Sequence, residues 1–373
     1  LLKVLWSLSR LVPRNKRLWI VGNQRPAFDD NSKYMFLFLH HHTDIDVIWI
    51  SEDRGTCSAL KKMGYRACPK YSLKAFYYSI RAGVVLTSAY ITDVLPVVLN
   101  GAFWVNLWHG TPLKFIGFDA GIHVLQLLTD KELRRKPWHK TTPDLFLLAS
   151  SSFSPHIQSA FRIAEERIFI SGYPRNDYLK ADWDGRVRKI IYLPTFRWKY
   201  YFDMFSYGFC DEEWQEFLVK SDMRFDVKLH PIDKDNRKTI QNRFRDSSHI
   251  NVLDGEGMDL YEVLPNYDLL ITDYSSVMFD WALMERPMLV GAFDLDTYRK
   301  TDRDIYRSLE EIVPYYQKDW KEMLAFLKSG NFEESLAQVL RIKTYYNDKS
   351  ETGQYASSLH QEILARLGQR NPS

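Results

Sequence analysis

The chain has 373 residues, 45% hydrophobic and 26% charged: enough apolar content for a large core, and too long for one ordinary domain. A formal net charge of +3 is too mild to point to nucleic acid, and three cysteines, Cys57, Cys68 and Cys210, have no metal-type spacing and speak against a disulfide framework, suggesting a reducing compartment. No apolar run approaches the ~18–20 residues of a membrane span, and the first residues, LLKVLWSLSRLVPRNKR, carry charges throughout without a small-residue cleavage site, so no signal peptide is expected.

In chain order, Leu1, Leu2, Leu5, Leu8, Leu11 and Val12 recur at helical spacing, flanked by Lys3, Arg10, Arg14, Lys16 and Arg17. This suits a helix at an anionic lipid surface, and also an ordinary helix packed on its domain. Apolar runs rich in β-branched and aromatic residues then recur at 17–22, 46–51, 82–88, 102–109, 145–150 and 167–174. A second series follows at 189–195, 224–231, 250–254, 269–276 and 287–293. Continuous runs rather than alternation predict strands covered on both faces, with helices between them at 58–64, 72–81, 211–221, 259–265 and 277–285. The segment GYPRNDYLKADWDGRVRK (172–189) has linker chemistry, which puts the domain boundary near 176–187. The expectation is two Rossmann-like, doubly wound α/β domains facing each other across a cleft. Residues 1–180 form the first domain; residues 181–373, including helices over 315–370, form the second.

In such sheets ligands bind beyond the carboxyl ends of the strands. Several polar residues fall there: His109 after AFWVNLW, Arg197 after KIIYLPTF, His230 after RFDVKL, and Asp273, Ser275 and Ser276 after DLLIT. Arg175 and Asn176 lie at the hinge. Ser275 and Ser276 open a helix and suit either a plain cap or an anion site. The histidine run 40–42 reads as a polar loop end. The Asp-x-Asp pairs at 44–46 and 294–296 read as incidental, so no metal site is expected. No Walker-type loop is present, which argues against ATP. The segment 121–140 joins an apolar stripe to Arg134, Arg135, Lys136 and Trp138 and is a candidate membrane face.

Five stretches in order, WHGTPLKFIGFD, GYPRNDYL, LPTFR, KLHP and DLLITDYSSVMFDWAL, resemble the signature set of the CDP-glycerol glycerophosphotransferase family, the teichoic acid primases and polymerases. The resemblance implies a GT-B fold, CDP-glycerol as donor, no further cofactor, and release of CMP. It implies an undecaprenyl-diphosphate-linked saccharide acceptor and peripheral binding to the cytoplasmic face of the bacterial plasma membrane. It makes His109 the general base on the acceptor hydroxyl and sets His230 on the donor diphosphate. Arg197, Ser275, Ser276 and Asp273 would bind donor phosphate. Thr111, Lys114, Arg175 and Asn176 would approach the acceptor or the transferred phosphate. Asp280 or segment 251–262 would approach ribose or cytosine. The reaction expected is that of the primase, which adds one unit to a lipid-linked disaccharide. Alternatives are the polymerase, a homologue using CDP-ribitol or making capsule, and a catalytically inactive membrane-associated scaffold.

Overall fold

The structure is a computed structural model that describes residues 1–179, 182–230, 232–255, 257–350 and 353–369. Its contacts divide the chain into two compact units: Leu1–Thr111, Ile116–Asp177 and Asp348–Ser373 form the first, and Pro112–Phe115 with Tyr178–Asn347 the second.

The first unit carries seven strands: β1 (Asn15–Gly22), β2 (Asp46–Ser51), β3 (Ala67–Pro69), β4 (Ala82–Thr87), β5 (Phe103–Asn106), β6 (Leu145–Leu148) and β7 (Ile168–Ile170). They form one sheet in the order β3-β2-β1-β4-β5-β6-β7, with every pairing parallel. Both faces are covered, which explains the continuous apolar runs. In β1, Trp19 and Val21 enter one core together with Leu359 and Ile363 of the helix Tyr355–Gln369. Leu18 and Ile20 enter the opposite core with Trp6 and Trp104.

The second unit holds β8 (Lys189–Leu193), β9 (Arg224–Val227), β10 (Ile250–Val252), β11 (Leu269–Thr272) and β12 (Met288–Val290). Their order is β10-β9-β8-β11-β12, again all parallel. Aromatic rings fill this core: Trp320 lies 5.1 Å from Tyr192 and 5.3 Å from Trp214 between ring centroids. The sheet order reverses at β1/β4 in one unit and at β8/β11 in the other. These are the switch points beside which doubly wound sheets bind ligands.

The structure departs from the sequence-based reading in several places. The boundary expected at 180/181 falls on residues outside the described set; the contacts pass from one unit to the other after Asp177. Residues 348–373, expected in the second domain, return to the first unit. Asp177 accepts from the backbone N–H groups of Tyr355 (2.8 Å) and Ala356 (2.9 Å), and Gly172, at φ +103, makes room for the Tyr355 ring. The histidine run is no loop. It forms the last turn of a helix, Asp30–His42, whose apolar stretch is buried rather than amphipathic, so no helical period marked it. The basic segment 121–140 breaks into short helices, Val124–Leu127 and Asp130–Arg135, and a 3₁₀ turn. Arg134, Arg135 and Lys136 are exposed, but Trp138, expected on a membrane face, is buried against Trp6 with ring centroids 6.2 Å apart.

Candidate active site

In the first unit, His109 stands three residues beyond β5. Its backbone is flanked by Trp108 at φ +52 and Gly110 at φ +139. Left-handed backbone is open to glycine and strained for tryptophan. The abrupt turn is therefore built from one free position and one costly one. The imidazole Nδ1 lies 3.4 Å from the Ser88 carbonyl at the end of β4. A carbonyl only accepts, so this contact puts the proton on Nδ1 and leaves Nε2 basic. The ring reaches solvent, while protein on its other sides strips enough water to push its pKa below the ordinary 6.5, against the pull of Asp30 and of Ser88.

The Ser88 turn is itself pinned. Its hydroxyl accepts from Gln24 N at 2.9 Å, and the buried Asp93 carboxylate accepts from Ala89 N at 2.8 Å and Tyr90 N at 3.3 Å. Burial pushes the Asp93 carboxyl up to about 6. Thr111 is buried, and its Oγ1 has no protein partner among the described residues. Arg175, expected at the acceptor or phosphate, is 3% exposed. Its Nη1 donates to Asp30 Oδ1 at 2.5 Å and to the His109 carbonyl at 3.1 Å. It is therefore a strut beneath His109 rather than a surface fork. Asn176 is likewise buried.

The motif around His109 is shared between the units, since Pro112–Phe115 pack with the second. There Lys114 Nζ donates to Thr195 Oγ1 at 3.2 Å and stands 5.5 Å from the Tyr298 ring centroid. Burial lowers its pKa to about 8, with Asp273 opposing and Arg197 assisting.

Arg197 follows β8, where the sequence placed it, but it is buried. Its side chain is 1% exposed, and each of its three nitrogens donates to protein. Nε reaches Asp294 Oδ2 at 3.0 Å, Nη2 reaches Asp294 Oδ1 at 2.7 Å and Tyr274 Oη at 2.6 Å, and Nη1 reaches Asp273 Oδ2 at 2.7 Å and the Thr195 carbonyl. Burial alone would lower its pKa, but Asp273 and Asp294 outweigh that and raise it. The expected phosphate fork is thus spent on internal carboxylates. Arg197 ties the loop after β8 to the loops after β11 and β12. Asp273, expected at the donor, is the lower half of that tie and is 1% exposed; it also accepts from Thr195 N at 2.9 Å. Asp294, read from the sequence as incidental, is its centre; Tyr200 Oη donates to it at 2.5 Å.

Ser275 and Ser276 are half-buried at the entry to a short helix, Val277–Trp281, with no side-chain cap bond from Ser276. Asp280 is buried and accepts from Tyr261 Oη at 2.6 Å, which anchors that helix. His230 is exposed three residues beyond β9 and stacks on Phe196, with centroids 5.8 Å apart. Pro231 of the same motif lies outside the described residues. His230, Phe196, Arg197, Tyr201 and Asn236 help to line a cavity of about 220 Å³. Among the described residues no cluster of His, Cys, Asp or Glu is placed to hold a metal, and no helix is long and apolar enough to cross a membrane.

Asp30, Asn31 and Asp93 escaped the sequence reading, and Asp294 was set aside in it. FDDNSK was the one available signal for the first two, and short polar residues before a helix are too common to read as chemistry.

Solved structures with this arrangement include the wall teichoic acid polymerase TagF. It superposes with a TM-score of 0.72 over 98% of this chain and 94% of that one at 22% identity, which bears on the fold alone. A UDP-N-acetylglucosamine 2-epimerase matches with a TM-score of 0.55 over 97% and 98% at 12% identity. The two parallel-sheet units thus have the GT-B fold. The teichoic acid glycerol-phosphate transferase of Staphylococcus aureus (strain NCTC 8325 / PS 47) is 26% identical, over 82% of this chain and 81% of its own. The teichoic acid glycerol-phosphate primase of Bacillus spizizenii (strain ATCC 23059 / NRRL B-14472 / W23) is 37% identical, over 66% and 65%. Residues 4–350 match the family model of CDP-glycerol:poly(glycerophosphate) glycerophosphotransferase, and the chain belongs to that family.

Proposed function

We propose that this glycerophosphotransferase is a primase: it moves one glycerol phosphate from CDP-glycerol to a hydroxyl of an undecaprenyl-diphosphate-linked disaccharide. The acceptor oxygen forms a bond to the β-phosphorus, the bond from that phosphorus to the bridging oxygen breaks, and CMP leaves. The acceptor proton passes to His109 Nε2. The observation that carries this reading is the His109 imidazole, held on the Ser88 carbonyl with a pKa below 6.5 and hence neutral and basic at neutral pH. His230, Ser275 and Ser276 hold the diphosphate, and the cavity beside Phe196 and Tyr201 takes the cytidine end. Lys114, bonded to Thr195 Oγ1 of the loop after β8, adds a cation to this loop set. Arg197 with Asp273 and Asp294 keeps the loops in place, and the transition state is met by positioning and charge.

The 37% identity to a primase favours that reaction over polymerisation or a CDP-ribitol donor. An inactive scaffold has no use for a solvent-reaching histidine held on a strained turn. Exposed Val4 and Leu8 on the first helix (Leu2–Ser9), Leu1 and Leu11 flanking it, and Arg134, Arg135 and Lys136 support peripheral attachment to the inner face of the membrane, where the acceptor would be met. Incubation with CDP-glycerol and a lipid-linked disaccharide analogue tests the reading. CMP release with a single mass increment is expected; a ladder of increments would make the enzyme a polymerase, and no CMP would remove the reading.

A further inference from the structure

The strain at Trp108 needs a cause. An aromatic residue at positive φ is strained and persists only where its surroundings over-determine it. Beneath the turn lies a buried polar group contributed by two distant segments. Asp30 and Asn31 open the helix Asp30–His42, and Arg175 comes from the turn after β7. Asn31 Nδ2 donates to the Trp108 carbonyl at 2.8 Å, and Arg175 Nη1 donates to the His109 carbonyl at 3.1 Å. The carbonyls on either side of the His109 residue are therefore both held from below. Arg175 is fixed in turn by Asp30 Oδ1 at 2.5 Å, and its own N–H donates to Asn31 Oδ1 at 3.3 Å. Asp30 has a side chain 13% exposed and itself adopts φ +59. A second strained residue thus supports the first.

We propose that Asp30 is a positioning residue for His109. Through Arg175, and beside Asn31, it holds the two carbonyls so that the imidazole stays against Ser88 with Nε2 as its basic nitrogen. The inference rests on the reading of His109 as the base. Asp30 also acts through its field. The charged groups facing His109 are Asp30, Arg175 and Arg25; Asp30 favours the protonated imidazole, and the two arginines disfavour it. Burial would raise the Asp30 carboxyl, but Arg175 and His109 outweigh that and keep it ionised.

The test compares Asp30→Asn, Asp30→Glu and His109→Ala. Imidazole C2 hydrogen exchange by mass spectrometry follows His109 titration without turnover, and CMP release from CDP-glycerol with the disaccharide analogue follows activity. In Asp30→Asn the His109 titration should move to lower pH, and kcat should fall about tenfold with KM for CDP-glycerol within about twofold, the signature of lost alignment. Asp30→Glu keeps the charge but misplaces the carboxylate. It should leave the titration near that of the unaltered enzyme while kcat still falls, and it decides the matter if Asp30→Asn does not fold. Unaltered titration and kcat in Asp30→Asn, or unaltered kcat in Asp30→Glu, would overturn the proposal. Full turnover by His109→Ala would instead remove the base reading, so the two failures are distinguishable.

Discussion

Arg197 meets Asp294 edge-on, with Nε to Oδ2 at 3.0 Å and Nη2 to Oδ1 at 2.7 Å, and the two side chains are 1% and 2% exposed. This two-pronged pair, reinforced by Asp273, joins three loops that the chain places far apart in sequence. Removing one member leaves buried charge unmatched, at a cost of about 3–5 kcal/mol. Arg197→Ala should therefore lower the unfolding midpoint of the second unit by at least several degrees, and Arg197→Lys should not restore it, because an ammonium cannot match the fork. Differential scanning calorimetry checks both.

The same pair predicts an acid sensitivity. Burial would raise the Asp294 carboxyl, but Arg197 outweighs it and holds the pKa below 3.8. A depressed folded value contributes stability that is present above 3.8 and lost as pH falls through the folded value. Asp294→Asn should flatten that acid limb. An unchanged limb would assign acid unfolding to other carboxylates.

His109 and Lys114 set the two limbs of a pH–rate profile. A base must be neutral, so kcat/KM should rise through the His109 pKa, below 6.5. Lys114 is useful as a cation, so kcat/KM should decline above about 8. His109→Ala should lose about 10²–10⁴ in kcat. Lys114→Ala should lose the alkaline limb; a limb that survives would belong to another group.

Gly172 offers a test of how the C-terminal helix is held. A Cβ there would lie 2.5 Å from the Tyr355 ring, at φ +103. Gly172→Ala should cost about 2–3 kcal/mol and free the helix Tyr355–Gln369. Faster proteolysis before residue 355, with the second unit's core unaffected, is the expected readout.

Membrane attachment is read by sedimentation with vesicles of neutral lipid, with and without phosphatidylglycerol. Changing Arg134, Arg135 and Lys136 to Gln removes three exposed cations worth about 1 kcal/mol each at an anionic surface. Binding to the anionic vesicles should weaken about 100-fold at low salt. Trp138→Ala should act through folding instead, since the ring is buried on Trp6.

The class of fold was legible in the sequence, and so was the place of several polar residues at strand ends. Runs such as AGVVLT and LFLL are apolar without alternation because both faces of their strands are covered, and this is a local property of the chain. His109, His230 and the Ser275–Ser276 pair were legible because each follows such a run, at the end where doubly wound sheets place ligands. Tertiary structure alone decided which polar residues face outward and which are struts. Arg197 read as a phosphate ligand and Arg175 as an acceptor or phosphate contact, yet their partners Asp294 and Asp30 lie 97 and 145 positions away, so no local pattern could reveal these internal ion pairs. The last helix joins the first unit for the same reason: Asp177 and Gly172 hold Tyr355 across 178 positions or more, and periodicity records that a helix has an apolar face, not which core it enters.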